Sequence, residues 1–193
     1  MAAQHDIVVI GVSLGGLNAL QTFLRRMPAE FPLPLAIVQH RGKSPDEGLA
    51  AMLAGASRLA VCEPEDKQAI SHGVVYLAPA DYHLLVDKNQ FALSTEEPVH
   101  FARPSIDVLF ESAADAYGAR VIGVILTGSN SDGAQGAARI KQRGGMLVVQ
   151  DPHTAESSAM PQAAIAAAAV DQILPLEALA GYLSDTCCLH PRR

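Results

Sequence analysis

Asp6-Ile7-Val8-Val9-Ile10-Gly11-Val12-Ser13-Leu14-Gly15-Gly16 begins a few residues into the chain and decides how the rest is read. An apolar run with strand character ends in Gly-x-Ser-x-Gly-Gly, and a helix-like segment follows at once. A serine at such a strand-to-helix turn is lifted clear of the sheet, beside the unpaired N–H groups of the helix start. Glycines on either side of Ser13 remove the Cβ atoms that would crowd the turn or an approaching substrate. The arrangement suits a nucleophile and also a phosphate cradle, so the remaining sequence has to separate them.

Working outward, strand-like and helix-like segments alternate. Strands are expected at 6–11, 35–39, 59–63, 74–78, 82–86, 90–94, 120–127, 146–150 and 172–174. Helices are expected at 16–27, with Leu17, Leu20 and Leu24 on one face, and at 105–117, where Ser105 is the expected cap. Others are expected at 133–142, 160–169 and 176–186, and after Ser44-Pro45-Asp46-Glu47, a helix-start signal. Asp87-Lys88-Asn89 reads as the turn of an antiparallel hairpin. The alternation predicts an α/β fold, a three-layer sandwich around a mainly parallel sheet with one added antiparallel hairpin. No repeat or long linker interrupts it, so a single domain spanning residues 1–193 is expected, with its core at about 6–186 and a frayed tail from Cys187.

Composition narrows the function. The 193 residues are 49% apolar and 18% charged, with 5% aromatics and no Trp, so Ala, Val, Ile and Leu must fill the core. A net charge of −6 without a Lys/Arg run disfavours nucleic acid and anionic membrane surfaces as partners. Three cysteines, two of them adjacent, make no disulfide framework and point to a reducing cytoplasm. No apolar run approaches the ~18 residues of a membrane span, and no signal peptide is recognisable. The seven His are scattered without metal-ligand spacing, so no metal is expected.

Ligands of an open parallel sheet gather at the carboxyl ends of its strands. Ser13, His40 and Asp132 each follow such a strand. Together they make a candidate Ser-His-Asp triad, with Ser13 attacking a carbonyl carbon, His40 shuttling the proton and Asp132 orienting the imidazole. The N–H groups of Leu14 and Gly15, or of the loop at Ser129, are candidate oxyanion donors. The chain order Ser…His…Asp differs from the Ser…Asp…His of ordinary α/β-hydrolases. Each residue also has a plainer reading, Asp132 as the cap of the following helix among them. A dinucleotide fold is the main rival, but Ser13 stands where its second glycine belongs, and Gln39-His40-Arg41 stands where its acidic residue belongs. The P-loop pattern is absent.

These residues resemble the catalytic domain of the CheB protein-glutamate methylesterases. The resemblance runs through Gly11–Gly16, Gln39-His40, Val75–His83, Arg103–Phe110, Gly123–Gly128 to Asp132-Gly133-Ala134, Gln150-Asp151 and Met160-Pro161. It implies hydrolysis of glutamate γ-methyl esters on the signalling helices of a methylated chemoreceptor, with release of methanol, and glutamine deamidation as a related activity. It also implies a doubly wound sheet and no cofactor, and it places the family's Ser, His and Asp on Ser13, His40 and Asp132. Leu14 replaces a common Thr, Ser129 falls in a loop that differs from the usual one, and Arg41 stands where an apolar residue is common. Arg41 and Arg103 are candidate contacts to an acidic receptor helix. The family usually carries a receiver domain of ~100 residues ahead of this segment, and Asp6 leaves no room for one, so a stand-alone esterase or a fragment is expected. The alternative from another class is a catalytically silent interaction module in a signalling complex.

Overall fold

The computed structural model describes residues 5–42 and 47–188. The elements, in chain order, are β1 (Ile7–Val12), α1 (Gly16–Arg26), β2 (Leu35–Gln39), α2 (Glu47–Ala56), β3 (Ala60–Cys62), β4 (Val74–Leu77), β5 (His83–Asp87), β6 (Gln90–Ser94), α3 (Ile106–Tyr117), β7 (Val121–Ile125), α4 (Ala134–Gln142), β8 (Met146–Gln150), α5 (Ala159–Ala167), β9 (Gln172–Leu174) and α6 (Leu176–Cys188). The helix-start signal at residues 44–46 and the tail beyond residue 188 lie outside the described residues.

Seven strands form one parallel sheet in the order β3-β4-β2-β1-β7-β8-β9. The chain lays down the β2 side first and then crosses β1 to build the β7 side. β1 is therefore the topological switch point, where a crevice opens beyond the carboxyl ends of the strands. Buried on both faces, β1, β2 and β7 are uniformly apolar rather than alternating, until Gln39 closes β2.

The period-2 pleat sends neighbouring residues to opposite layers. Val8, Ile10 and Val12 pack with Leu20, Phe23, Leu53, Leu179 and Leu183, from α1, α2 and α6. Ile7 and Val9 pack with Leu109, Phe110, Ala137, Ile140 and Ala164, from α3, α4 and α5. Burying each such aliphatic side chain is worth roughly 1.5–3 kcal/mol, so the central strands are the best-anchored part of the molecule.

The hairpin is a separate two-stranded sheet, with Asp87 opposite Gln90. Its two-residue loop, Lys88-Asn89, has φ of 47° and 69°. Positive φ at both positions is the combination whose twist suits a right-twisted hairpin. Leu84, Val86 and Phe91 turn inward onto the layer of α3. One side-chain expectation needs correction. Leu17 is not on the buried face of α1, which is formed by Gly16, Ala19, Leu20, Phe23 and Leu24. Leu17 is 36% exposed, because the first turn of α1 stands at the mouth of the crevice.

Candidate active site

The three polar residues that follow β1, β2 and β7 converge. Ser13 Oγ lies 3.1 Å from Nδ1 of His40, and Nε2 of the same ring lies 2.7 Å from Oδ2 of Asp132. The strand register explains the meeting. Val12 pairs with Gln39, so the residues after them, Ser13 and His40, emerge side by side. Asp132 arrives by the loop after β7, on the other flank of β1. Exposure falls along the series: Ser13 is half-buried, the His40 side chain is 13% exposed and Asp132 is completely buried. Water thus reaches the hydroxyl but not the carboxylate.

Asp132 accepts four hydrogen bonds. Oδ2 takes the N–H of Ile106 at 2.7 Å as well as that of His40, and Oδ1 takes the Ser105 hydroxyl at 2.9 Å and the Asp107 N–H at 3.0 Å. Four donors fill the acceptor capacity of an ionised carboxylate. Burial pushes the Asp132 carboxyl up, but the bonds from His40, Ile106 and Asp107 outweigh it and hold the group below the usual carboxylate range. A carboxylate fixed on Nε2 leaves Nδ1 with the lone pair turned to Ser13, the tautomer a general base requires.

This overturns two cap expectations. Ser105 occupies the N-cap position of α3, yet its hydroxyl makes no cap bond and goes to Asp132 instead. Asp132 does cap a helix, but that helix is α3 and not the α4 that follows it. The N–H groups of the first turn of α3 attract the charge that the imidazole also needs.

The turn at Ser13 is braced from three sides. Gln39 Nε2 donates to the carbonyl oxygens of Ser13 and His40, at 3.0 and 2.8 Å, tying the two strand ends together. Thr127 donates its hydroxyl to the Leu14 carbonyl at 2.9 Å and accepts the Ser157 N–H at 2.9 Å. Gly15 has φ 76°, and a Cβ there would meet the Glu156 side chain at 2.6 Å. A Cβ on Gly16 would lie 1.8 Å from Gln39 Oε1, so only glycine allows Gln39 to reach the turn. The N–H groups of Leu14, Gly15 and Ser129 have no hydrogen-bond partner among the described residues. Leu14 is 54% exposed, so much of its side chain faces solvent.

An open groove of about 640 Å³ runs past Ser13 and His40, with Leu14, Leu17, Gln21 and Ser129 in its walls. A second cavity of about 370 Å³ lies on the far side of His40, with Arg41, His100, Phe101 and Arg103 around it. The two arginines already have partners. Arg41 Nη2 donates to Ala78 O and to Glu63, and only 8% of its side chain is exposed. Arg103 holds Asp81 and the carbonyls of Thr95 and Glu96. Both border the cavity beside His40, with their charges balanced from within the chain.

Sequence reasoning assigned no task to Gln39, Thr127, His83 or Asp107. His83 is buried, accepts the Ser105 N–H on Nδ1 and donates from Nε2 to Glu97 O, and so holds the start of α3. The signal for these residues was a polar side chain inside or at the end of an otherwise apolar element. Among the described residues no group of three or more His, Cys, Asp or Glu is placed to hold a metal ion, and no helix is long and apolar enough to cross a membrane.

The chain is similar to known proteins over nearly all of its length. The CheB methylesterase family model matches residues 8–183. A protein of Leptospira interrogans, provisionally named a protein-glutamate methylesterase/protein-glutamine glutaminase, is 50% identical over 177 residues, covering 91% of this chain and 92% of the relative. A protein-glutamate methylesterase/protein-glutamine glutaminase of Anaeromyxobacter dehalogenans is 43% identical over 184 residues, covering 95% of this chain and 54% of the relative. The crystal structure of the Thermotoga maritima CheB methylesterase catalytic domain superposes with a TM-score of 0.88 at 34% identity, covering 93% of this chain and 97% of that one.

Proposed function

The chain belongs to the CheB methylesterase family, and from that premise we propose that it hydrolyses γ-methyl esters of glutamate side chains on a methylated chemoreceptor in the cytoplasm. The observation that carries this reading is the unbroken run of hydrogen bonds from Ser13 through His40 to a buried, four-fold satisfied Asp132.

Ser13 Oγ attacks the ester carbonyl carbon as His40 Nδ1 takes its proton. The imidazolium that forms keeps its Nε2–H on Asp132, whose negative charge stabilises it. The carbonyl oxygen, now an oxyanion, is received by the unpaired N–H groups of Leu14 and Gly15, with Ser129 on the facing loop. One such donor is typically worth 10²–10³-fold in rate. His40 returns the proton to the departing methoxide, so methanol leaves and an acyl-serine remains. Water, deprotonated by the same imidazole, then cleaves the acyl-serine to the free glutamate carboxylate and restores Ser13. An amide in place of the ester releases ammonia, which is the glutaminase reaction. The groove accepts a side chain presented from a protein surface, with the exposed Leu14 and Leu17 as apolar rim. Arg41 and Arg103 frame the neighbouring cavity, where an acidic receptor helix would run. No step needs a cofactor.

The test is methanol release from a methylated receptor by wild type and Ser13→Ala. Activity confined to wild type supports the reading, and equal rates remove Ser13 from the mechanism. Receptor binding with no methanol release by wild type would favour a silent binding module instead.

A further inference from the structure

Asp107 takes no part in the chemistry described above, yet it lies directly behind it. It is the second residue of α3 and is buried. Its Oδ1 accepts the Gly136 N–H at 2.7 Å, and its own N–H donates to Asp132 Oδ1 at 3.0 Å. The two helices therefore exchange caps. Asp132, ahead of α4, serves the first turn of α3, and Asp107, in α3, serves the first turn of α4. The approach is close enough to demand glycine. A Cβ on Gly136 would fall 2.4 Å from Phe110 Cβ and 3.2 Å from Asp107 Cα.

The two carboxyls are unequally served. Asp132 has four donors, whereas Asp107 has one N–H, and its Oδ2 accepts no hydrogen bond among the described residues. His100 Nε2 stands 3.2 Å from that oxygen, at ion-pair distance, on the wall of the cavity beside His40. Burial raises the Asp107 carboxyl to about 6; the Gly136 N–H and His100 oppose the rise, and Asp132 and Glu111 add to it. The charged side chains of α4 and its C-terminal end are engaged elsewhere, Arg139 and Arg143 with Asp115 and Lys141 with Asp171. On the hairpin side, His83 has both ring nitrogens in use.

We propose that Asp107 is a positioning residue: through the exchanged caps it fixes Asp132 against His40, and the charge it gains or loses is felt by that pair. The inference rests on the reading of Ser13, His40 and Asp132 as the reacting set.

Asp107→Asn keeps a carbonyl oxygen for Gly136 and removes the charge, while Asp107→Ala removes both. The alanine variant is expected to lose about 10- to 100-fold in kcat with KM within about 2-fold, as small displacements of a reacting group do. The asparagine variant is expected to restore kcat to within about 3-fold at pH 8 and to lack the inflection near pH 6 that the Asp107 ionisation should give wild type. A second readout needs no substrate. The downfield NMR signal of the His40 Nε2–H should move with the ionisation of Asp107 in wild type and stay still over that range in Asp107→Asn. An unmoved signal in wild type, or superimposable pH profiles for wild type and Asp107→Asn, overturns the proposal. A moving signal in a chain that releases no methanol overturns the esterase reading and leaves the coupling standing.

Discussion

His40 meets Asp132 through Nε2, at 2.7 Å, and turns Nδ1 to Ser13. The serine-protease triad uses the opposite ring edges, with Nε2 on the serine and Nδ1 on the aspartate. What both arrangements preserve is a proton fixed on the carboxylate side and a lone pair on the hydroxyl side. Asp132→Asn disturbs that assignment, because an amide can present N–H where only an acceptor is useful. By analogy with the protease case, kcat for ester hydrolysis should fall by about 10³- to 10⁴-fold, with labelling of Ser13 by a serine-directed phosphonate slowed in parallel. Unchanged labelling would mean that Asp132 does not set the tautomer.

Ser105→Ala removes one of the four donors on Asp132 and leaves the helix cap intact, since the N–H groups of Ile106 and Asp107 stay bonded. Helix content should therefore be unchanged. Hydrogen bonds to a charged group are worth about 1.5–3 kcal/mol, so a loss of stability near that size is expected by denaturant titration. The Asp132 carboxyl should rise, carrying the acid limb of the rate profile to higher pH. A variant with lowered helicity and an unmoved acid limb would restore the ordinary cap role.

Gly11→Ala tests how tightly β1 and α3 are pressed together. The added Cβ would sit 2.3 Å from Ile106 Cγ2, a side chain that is fully buried and has nowhere to go. Overpacking of this kind costs about 1–3 kcal/mol, and a domain of this size loses roughly 2–4 °C of Tm per kcal/mol. Because the Ile106 N–H holds Asp132, phosphonate labelling should slow by more than the change in folded fraction explains. Labelling that tracks only the folded fraction would separate this contact from the site.

Stability should depend on pH in two opposed ways. The native Asp132 carboxyl lies below its ordinary value, so its contribution is present above about pH 4 and is lost as pH falls through the native value. Asp107 is raised to about 6. Between the unfolded value near 4 and that native value the folded state binds more protons, so this group's contribution falls as pH rises and stays low above 6. Removing the ionisation with Asp107→Asn should let the variant gain on wild type by on the order of 2 kcal/mol between pH 4 and 7, read from denaturant midpoints at each pH. Parallel curves would mean that Asp107 titrates as it does in the unfolded chain.

The positions of the strands and of the three side chains that meet at their ends were legible because each central strand is an apolar run that stops at a polar residue, and local sequence carries that pattern. Ser13, His40 and Asp132 were found in this way. The partners of Asp132 were not, since Ser105, Ile106 and Asp107 lie 25 to 27 residues away and are reached only when α3 docks beside the loop after β7. Ser105 looked like a cap because its residue type and place are those of a cap, while a stronger acceptor nearby claims the N–H groups. The partners of Arg41 and Arg103 were not legible either, since Glu63 and Asp81, 22 residues distant in each case, are brought in by β3 and the β4–β5 connection. Leu17 shows the limit of helical periodicity: spacing identifies a stripe, but the neighbouring turn decides which edge of it faces solvent.

The parallel sheet gives the site a calendar during synthesis. Hydroxyl and imidazole emerge from the ribosome before their carboxylate, which follows 92 residues after the imidazole. Long-range parallel pairing of this kind forms late. Until β7 has docked on β1, a nascent chain carries a serine with no oriented base, and such a serine is too weak a nucleophile to attack the esters around it.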